Sequence, residues 1–265
     1  MRPMEILLTN DDGIHSDGLW AMAEALSEVG SVFVVAPDRD QSGIGTARSL
    51  RSMIRTHDFA APTSVASALS VEGTPSDCVI LAVESLHPGG FDMVFSGINE
   101  GANVGMDVLA SGTVGAALQG YLRGIPSVAM SVTALTDLRH DAAAIAAGVI
   151  ARAIAEAEEQ PQAPFLNVNL PNVGADELDA VELTALGPRA WAETVESHHD
   201  GKRTTFWIKQ NLPVGQDAQA GTDVWAVRNK RVSITSLNGS LSSIEGTGLV
   251  RDIALRVAAG LNLEA

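Results

Sequence analysis

The chain is short of cysteine, lysine and aromatic residues and has no long apolar run, and each shortage excludes something. One cysteine among 265 residues, Cys78, cannot close an intrachain disulfide. It lies in the apolar run CVILAV and reads as a small buried hydrophobe, which fits a reducing cytoplasm. A chain of this length buries a core without such staples. Nothing approaches the roughly 18 consecutive apolar residues of a membrane-spanning helix. The start, MRPMEILLTN, has neither the hydrophobic segment nor the small-residue cleavage site of a signal peptide. A cytoplasmic protein without a membrane partner is expected.

Only Lys202, Lys209 and Lys230 are lysines, and 17 basic residues face 32 acidic ones, for a net charge of -15. Such a field repels polyanions, so no stable nucleic-acid complex is expected. A phosphate-bearing ligand in the first half of the chain would have to be met by arginine, backbone N–H groups or a metal ion. Familiar signatures are missing too. There is no G-x-x-x-x-G-K-[ST], no G-x-G-x-x-G after a strand, no G-x-S-x-G elbow, no C-x-x-C and no H-E-x-x-H. Thiolate and zincin-type metal binding are thereby excluded.

What is present is alternation. EILLT (5–9), SVFVVA (31–36), DMVFS (92–96), SVAMSV (127–132) and FLNVNL (165–170) read as strands, with helices expected over 17–29, 75–86, 111–123 and 140–158. Short β-branched runs separated by amphipathic segments predict an α/β fold, a mostly parallel sheet with helices on both faces. Residues 48–77 break the rhythm and suit a hairpin or an added antiparallel pair. After Asn172 the pattern changes: VELTAL, TTFWIK and RVSITSL look like strands, with a last amphipathic helix near 246–259. Two regions follow, a catalytic core over 1–172 and a β-rich C-terminal extension over 173–265, more suited to oligomer contacts than to chemistry.

Ligands of open parallel sheets bind outside the carboxyl ends of the strands. Three of those ends are rich in oxygen ligands: Thr9-Asn10-Asp11-Asp12-Gly13, Ala36-Pro37-Asp38-Arg39-Asp40-Gln41-Ser42-Gly43, and Ser96-Gly97-Ile98-Asn99-Glu100-Gly101-Ala102-Asn103. Asp11 and Asp12 repel one another, and keeping both ionised in a desolvated place requires a cation. The pair reads either as a turn or helix cap, where Asp and Gly are common, or as ligands of a hard divalent ion such as Mg²⁺ or Mn²⁺. Three polar strand ends on one edge favour the second reading. Ser111-Gly112-Thr113 opens a helix and reads either as an ordinary N-cap or as a cradle for phosphate oxygens. His15 lies near the aspartates and reads either as a proton donor to a leaving group or as a bystander, the second being favoured for one side chain in a loop.

Seven stretches, ILLTNDDGI, VVAPDRDQSG, EGTPSDCVILA, VFSGINEGANVG, SGTVGAALQG, GIPSVAMS and LNVNLP, run in order through residues 6–171. Together they resemble the SurE family, stationary-phase survival proteins that are metal-dependent nucleotidases. The resemblance implies a Rossmann-like fold and one divalent metal ion per subunit, Mg²⁺ or Mn²⁺. It further implies hydrolysis of nucleoside five-prime and three-prime monophosphates, and a homodimer or homotetramer built through the C-terminal extension. Carried over by motif, the metal ligands are Asp11, Asp12, Ser42 and Asn99, with the two aspartates also catalytic. The phosphate-binding residues are Asn103, Ser111, Gly112 and Thr113. Ala110 stands where the family usually has tyrosine, and Asp40 where asparagine is common.

Two other readings compete. An aspartyl-phosphate phosphatase would use Asp11 as nucleophile, but that class separates its two aspartates by one residue and here they are adjacent. A non-enzymatic, metal-bound nucleotide sensor would bind nucleotide without releasing phosphate.

Overall fold

Strand β1 (Glu5–Thr9) is buried at every position after Glu5, as a strand covered on both faces must be. A computed structural model describes residues 4–134, 136–157, 162–213 and 218–240, together with Ile253 and Arg256. In it the alternation along β1 sorts side chains to two cores. Ile6 and Leu8 face helices α1 (Asp17–Ser27) and α4 (Asp141–Glu156), packing with Leu19, Met22 and Ala147. Leu7 faces the other way, toward Cys78 and Val79 of α2 (Pro75–Leu81) and Ala116 of α3 (Gly112–Tyr121). Strands β2 (Ser31–Pro37) and β5 (Met93–Glu100) divide alike, with Val34 and Phe95 on the first face and Val35 and Val94 on the second. The structure therefore has the expected helices on both faces of a mostly parallel sheet.

The remaining strands are β3 (Thr56–Asp58), β4 (Ser67–Val71), β6 (Ser127–Val132), β7 (Phe165–Leu170), β8 (Ala180–Thr184), β9 (Trp191–His199), β10 (Thr204–Pro213) and β11 (Arg231–Ser236). Nine of the eleven described strands form one sheet in the order β3-β4-β2-β1-β5-β6-β7-β11-β8. The six from β4 to β7 are mutually parallel, and antiparallel pairs occur at β3 with β4 and at β7 with β11. From β1 the chain winds outward through β2 and β4, then returns to β5 on the other side of β1. The order reverses between β1 and β5, and this topological switch point opens a crevice at the carboxyl ends of the two strands.

The irregular segment 48–77 supplies β3 and β4. They pair antiparallel with one another, and β4 also joins β2 in parallel. β5 runs four residues past the expected end at Ser96. Its register against β6 shifts between Ser96 and Asn99, so a bulge carries the polar SGIN stretch on as strand. Gly97 makes this close approach feasible, because a Cβ there would lie 2.3 Å from the Met130 carbonyl oxygen. In the C-terminal extension, β8 and β11 complete the main sheet, whereas β9 and β10 form a separate two-stranded ribbon. β9 and the short helix α5 (Asp223–Arg228) carry no sequence signal strong enough to anticipate them. The helix expected near 246–259 lies outside the described residues, apart from Ile253 and Arg256, which are helical.

Leu8 lies fully buried in a strand flanked on both sides. Truncation to alanine leaves a cavity that a strand held on both edges cannot close, so Leu8→Ala is expected to cost about 2–5 kcal/mol of stability. Urea unfolding should then show a lower midpoint with an unchanged slope.

Candidate functional site

The turn after β1 is made by Asn10 and Gly13, not by the aspartates. Asn10 donates from Nδ2 to the Gly13 carbonyl at 2.9 Å and accepts the Gly13 N–H on Oδ1 at 3.2 Å. Gly13 adopts φ +98°, and a Cβ there would lie 3.0 Å from the Arg39 backbone. With the turn closed by these neighbours, both aspartate carboxyls are left over at the switch point, beside the end of β5. The turn reading and the ligand reading of this stretch are therefore compatible.

Asp11 is 3% exposed and lies against the start of α3. Its Oδ1 accepts the Thr113 hydroxyl at 2.6 Å, and the carboxyl also accepts the Thr113 N–H. Gly112 permits this contact, since a Cβ on it would meet the Cβ and Oδ2 of Asp11 at 2.8 Å. Asp12 accepts the Glu100 N–H from the end of β5, yet its Oδ2 is buried without a partner among the described residues. Burial pushes the Asp12 carboxyl up to about 8, helped by the negative charges of Asp11 and Glu100. Burial also raises Asp11, to about 6, against the downward pull of the Thr113 hydroxyl. Neither aspartate forms a salt bridge with a lysine or arginine among the described residues. Two adjacent desolvated carboxyls with one orphaned oxygen and no side-chain cation fit a divalent ion.

The other two expected ligands come from neighbouring strand ends. Asn99 is 7% exposed on β5. It donates from Nδ2 to the Gly101 carbonyl at 2.7 Å, which leaves Oδ1 as the oxygen it could offer to an ion. Ser42 is exposed on the loop after β2. That loop is tied to the site by the Gln41 N–H, which donates to the Asp11 carbonyl at 2.8 Å. The Ser42 hydroxyl and N–H both donate to Asp40 Oδ1, at 2.5 and 2.8 Å. Among the described residues no group of three or more His, Cys, Asp or Glu is placed to hold a metal. Any ion here would rest on one carboxylate pair plus neutral oxygens and water, the environment that Mg²⁺ and Mn²⁺ accept. His15 is exposed and its ring packs edge-on against Phe59 at 5.2 Å.

At the start of α3, Ser111 caps the helix by accepting the Val114 N–H at 3.1 Å. The Gly112 N–H has no partner among the described residues. Asn103 is a hub. Its amide Nδ2 donates to Thr113 Oγ1 at 3.2 Å and to Ser131 Oγ at 2.9 Å. Its backbone N–H donates to Asn169 Oδ1 at 2.8 Å, and its carbonyl accepts from Asn167 and Asn169 at 2.7 and 3.0 Å. Ser131, Asn167 and Asn169 are fully buried supports that the sequence reading did not single out. Their signal was available, because asparagines two apart in FLNVNL share one face of an otherwise apolar strand.

A second missed support comes from the C-terminal extension. Asp223, fully buried, accepts the N–H groups of Gly105 and Gly187 at 2.7 Å each and its neighbour Val224 at 2.8 Å. Asp107 accepts the Ala190 N–H at 2.9 Å. The loop between Asn103 and Ser111 is thus clasped by residues far away in sequence.

The fold and site define a doubly wound α/β protein with an oxygen-rich cluster of side chains at its switch point, next to a helix N-terminus. The chain belongs to the SurE family: the family described as survival protein SurE matches residues 6–193. A protein named 5'-nucleotidase SurE from Dehalococcoides mccartyi strain CBDB1 is 43% identical over 240 residues, covering 90% of each chain. Another of that name from Geobacter sulfurreducens is 40% identical over 250 residues, covering 94% of this chain and 93% of its own. The crystal structure of SurE from Aquifex aeolicus superposes with a TM-score of 0.79 at 35% identity, covering 94% of this chain and 99% of its own.

Because both carboxyls titrate above the ordinary aspartate range, the folded chain keeps protons that the unfolded chain releases. In chelator the pair should therefore lower stability progressively from about pH 4, with the full penalty above about pH 8. Asp12→Asn removes the larger share of that penalty. Thermal melts in chelator should show the wild type losing stability relative to Asp12→Asn as pH rises through this range. Parallel curves would remove the aspartates as its source.

Proposed function

We propose that this chain is a divalent-metal-dependent phosphomonoesterase that hydrolyses nucleoside five-prime monophosphates, and three-prime monophosphates as well, to nucleoside and phosphate. The observation that carries this reading is the Asp11–Asp12 pair at the switch point, with Asp11 buried, Asp12 half-buried, the buried Asp12 Oδ2 unpartnered among the described residues, and α3 beginning beside it. The printed names of the relatives, 5'-nucleotidase SurE, support the same activity.

Asp11, Asp12, Ser42 and Asn99 would hold one Mg²⁺ or Mn²⁺ per subunit. When bound, such an ion neutralises phosphate charge and makes a coordinated water more acidic. The chain supplies the rest. The Gly112 N–H and the partial positive charge at the start of α3 receive phosphoryl oxygens beside Ser111, with the buried Thr113 and the half-buried Asn103 forming the wall of the cradle. Water attacks phosphorus, the ester P–O bond breaks, and the nucleoside leaves as an alcohol. Asp11 is poorly suited to be the nucleophile, because it is 3% exposed and one of its oxygens is bound by the Thr113 hydroxyl. Ser42 is read as a ligand for the same site.

The region 1–172 is read as the catalytic core and 173–265 as the extension through which copies of the chain associate as a homodimer or homotetramer. The exposed Val195, Phe206, Trp207 and Ile208 of the β9–β10 ribbon support that assignment. The overall acidity and the reduced Cys78 fit a cytoplasmic setting.

Phosphate release from nucleoside monophosphates, an aryl phosphate and polyphosphate, each with Mg²⁺, Mn²⁺ or chelator, tests the reading. Activity should require the ion and fall on the order of 100-fold or more in Asp12→Asn, with the fold intact. Stoichiometric nucleotide binding without phosphate release under any divalent ion would favour a sensor instead.

A further inference from the structure

Thr113 is fully buried, and both functions of its hydroxyl are already committed. Its single proton goes to Asp11 Oδ1 at 2.6 Å, so toward Asn103 the oxygen can only accept. That fixes the Asn103 amide with Nδ2 inward, on Thr113 at 3.2 Å and on Ser131 at 2.9 Å. Both amide protons of Asn103 are thereby engaged. Its Oδ1 makes no hydrogen bond among the described residues and is not one of the buried unpartnered atoms. A hydroxyl sealed from solvent cannot reach a phosphate oxygen, and an amide that offers only an oxygen acceptor cannot hold an anionic one.

From this we infer that Thr113 is a positioning residue, not a phosphate contact. It pins Asp11 Oδ1 through its hydroxyl and, through the same oxygen, orients Asn103. The N–H of Thr113 adds a second hold on the same carboxyl. With Asp11 fixed from behind, its remaining oxygen keeps one direction relative to Asp12. This is the arrangement by which a supporting residue tunes a metal ligand without touching the metal. The inference rests on the metal-site reading above and sharpens it. Within the Ser111-Gly112-Thr113 stretch it leaves the phosphate to Gly112 and Ser111, and it turns Asn103 from a donor to phosphate into an acceptor facing water or a cation.

The test is Mn²⁺ binding, followed by electron paramagnetic resonance in the absence of phosphate, on the wild type and on Thr113→Val, Thr113→Ala and Thr113→Ser. Loss of the hydroxyl in the Val and Ala variants should weaken Mn²⁺ binding by about 10–100-fold, and Thr113→Ser should restore it. Inhibition by inorganic phosphate at saturating Mn²⁺ should change far less. Thermal melts identify any variant that fails to fold, and the two hydroxyl-free variants ask the same question independently. Mn²⁺ affinity unchanged in a folded hydroxyl-free variant would overturn the inference, as would a loss that serine does not rescue. A wild type that binds no Mn²⁺ would instead sink the metal-site reading itself, so the two failures are distinguishable.

Discussion

Two carboxyl groups on consecutive residues, desolvated at the carboxyl end of β1, are the constraint on which this edge of the molecule depends. Unscreened, they oppose one another and both resist ionisation. Much of the local structure offsets that cost. The start of α3 approaches closely enough for the N–H and hydroxyl of Thr113 to reach Asp11, and Gly112 is what allows the approach. The end of β5 supplies the Glu100 N–H to Asp12 and Asn99 from one residue earlier. Even so, Asp12 Oδ2 is left without a partner among the described residues. The same sheet topology that produces a switch point between β1 and β5 brings these pieces together.

The support extends beyond the parallel core. Asn167 and Asn169 on β7 hold the backbone of Asn103 from below. From the C-terminal extension, Asp223 grips Gly105 and Gly187 with one carboxyl. Burial raises the Asp223 carboxyl, and the three N–H donors act against that rise. The extension therefore contributes to the geometry of the loop that leads into α3, in addition to the apolar ribbon it exposes.

The parts of the fold legible in the sequence were those dominated by hydrophobic period. β1, β6 and β7 fall where their apolar runs stand, because strands buried on both faces leave little freedom in register or length. β5 was read too short because its last residues are polar and pass through a bulge at Gly97, which pattern alone represents as a loop. β9 was missed because Glu193, Glu196, His198 and His199 give it no apolar alternation, and its partner is an isolated ribbon strand. At the site, residue types and strand ends were enough to single out the Asp11–Asp12 pair and two further polar strand ends; the choice of Ser42 and Asn99 within those ends rested on the family resemblance. The direction of each hydrogen bond was not readable. The fold alone determines that Thr113 donates to Asp11, that Ser42 is engaged by Asp40, and that Asp223 braces Gly105.

The central claim is that Asp11 and Asp12 coexist because a divalent ion completes their site. Titration calorimetry of Mn²⁺ in two buffers of different ionisation enthalpy, near pH 7, measures it most directly. With Asp12 held near 8 and Asp11 near 6, binding must expel bound protons. The account predicts about one proton released per ion in the wild type and much less, with weaker binding, in Asp12→Asn. Mn²⁺ binding of equal strength in both proteins with no proton release would contradict it.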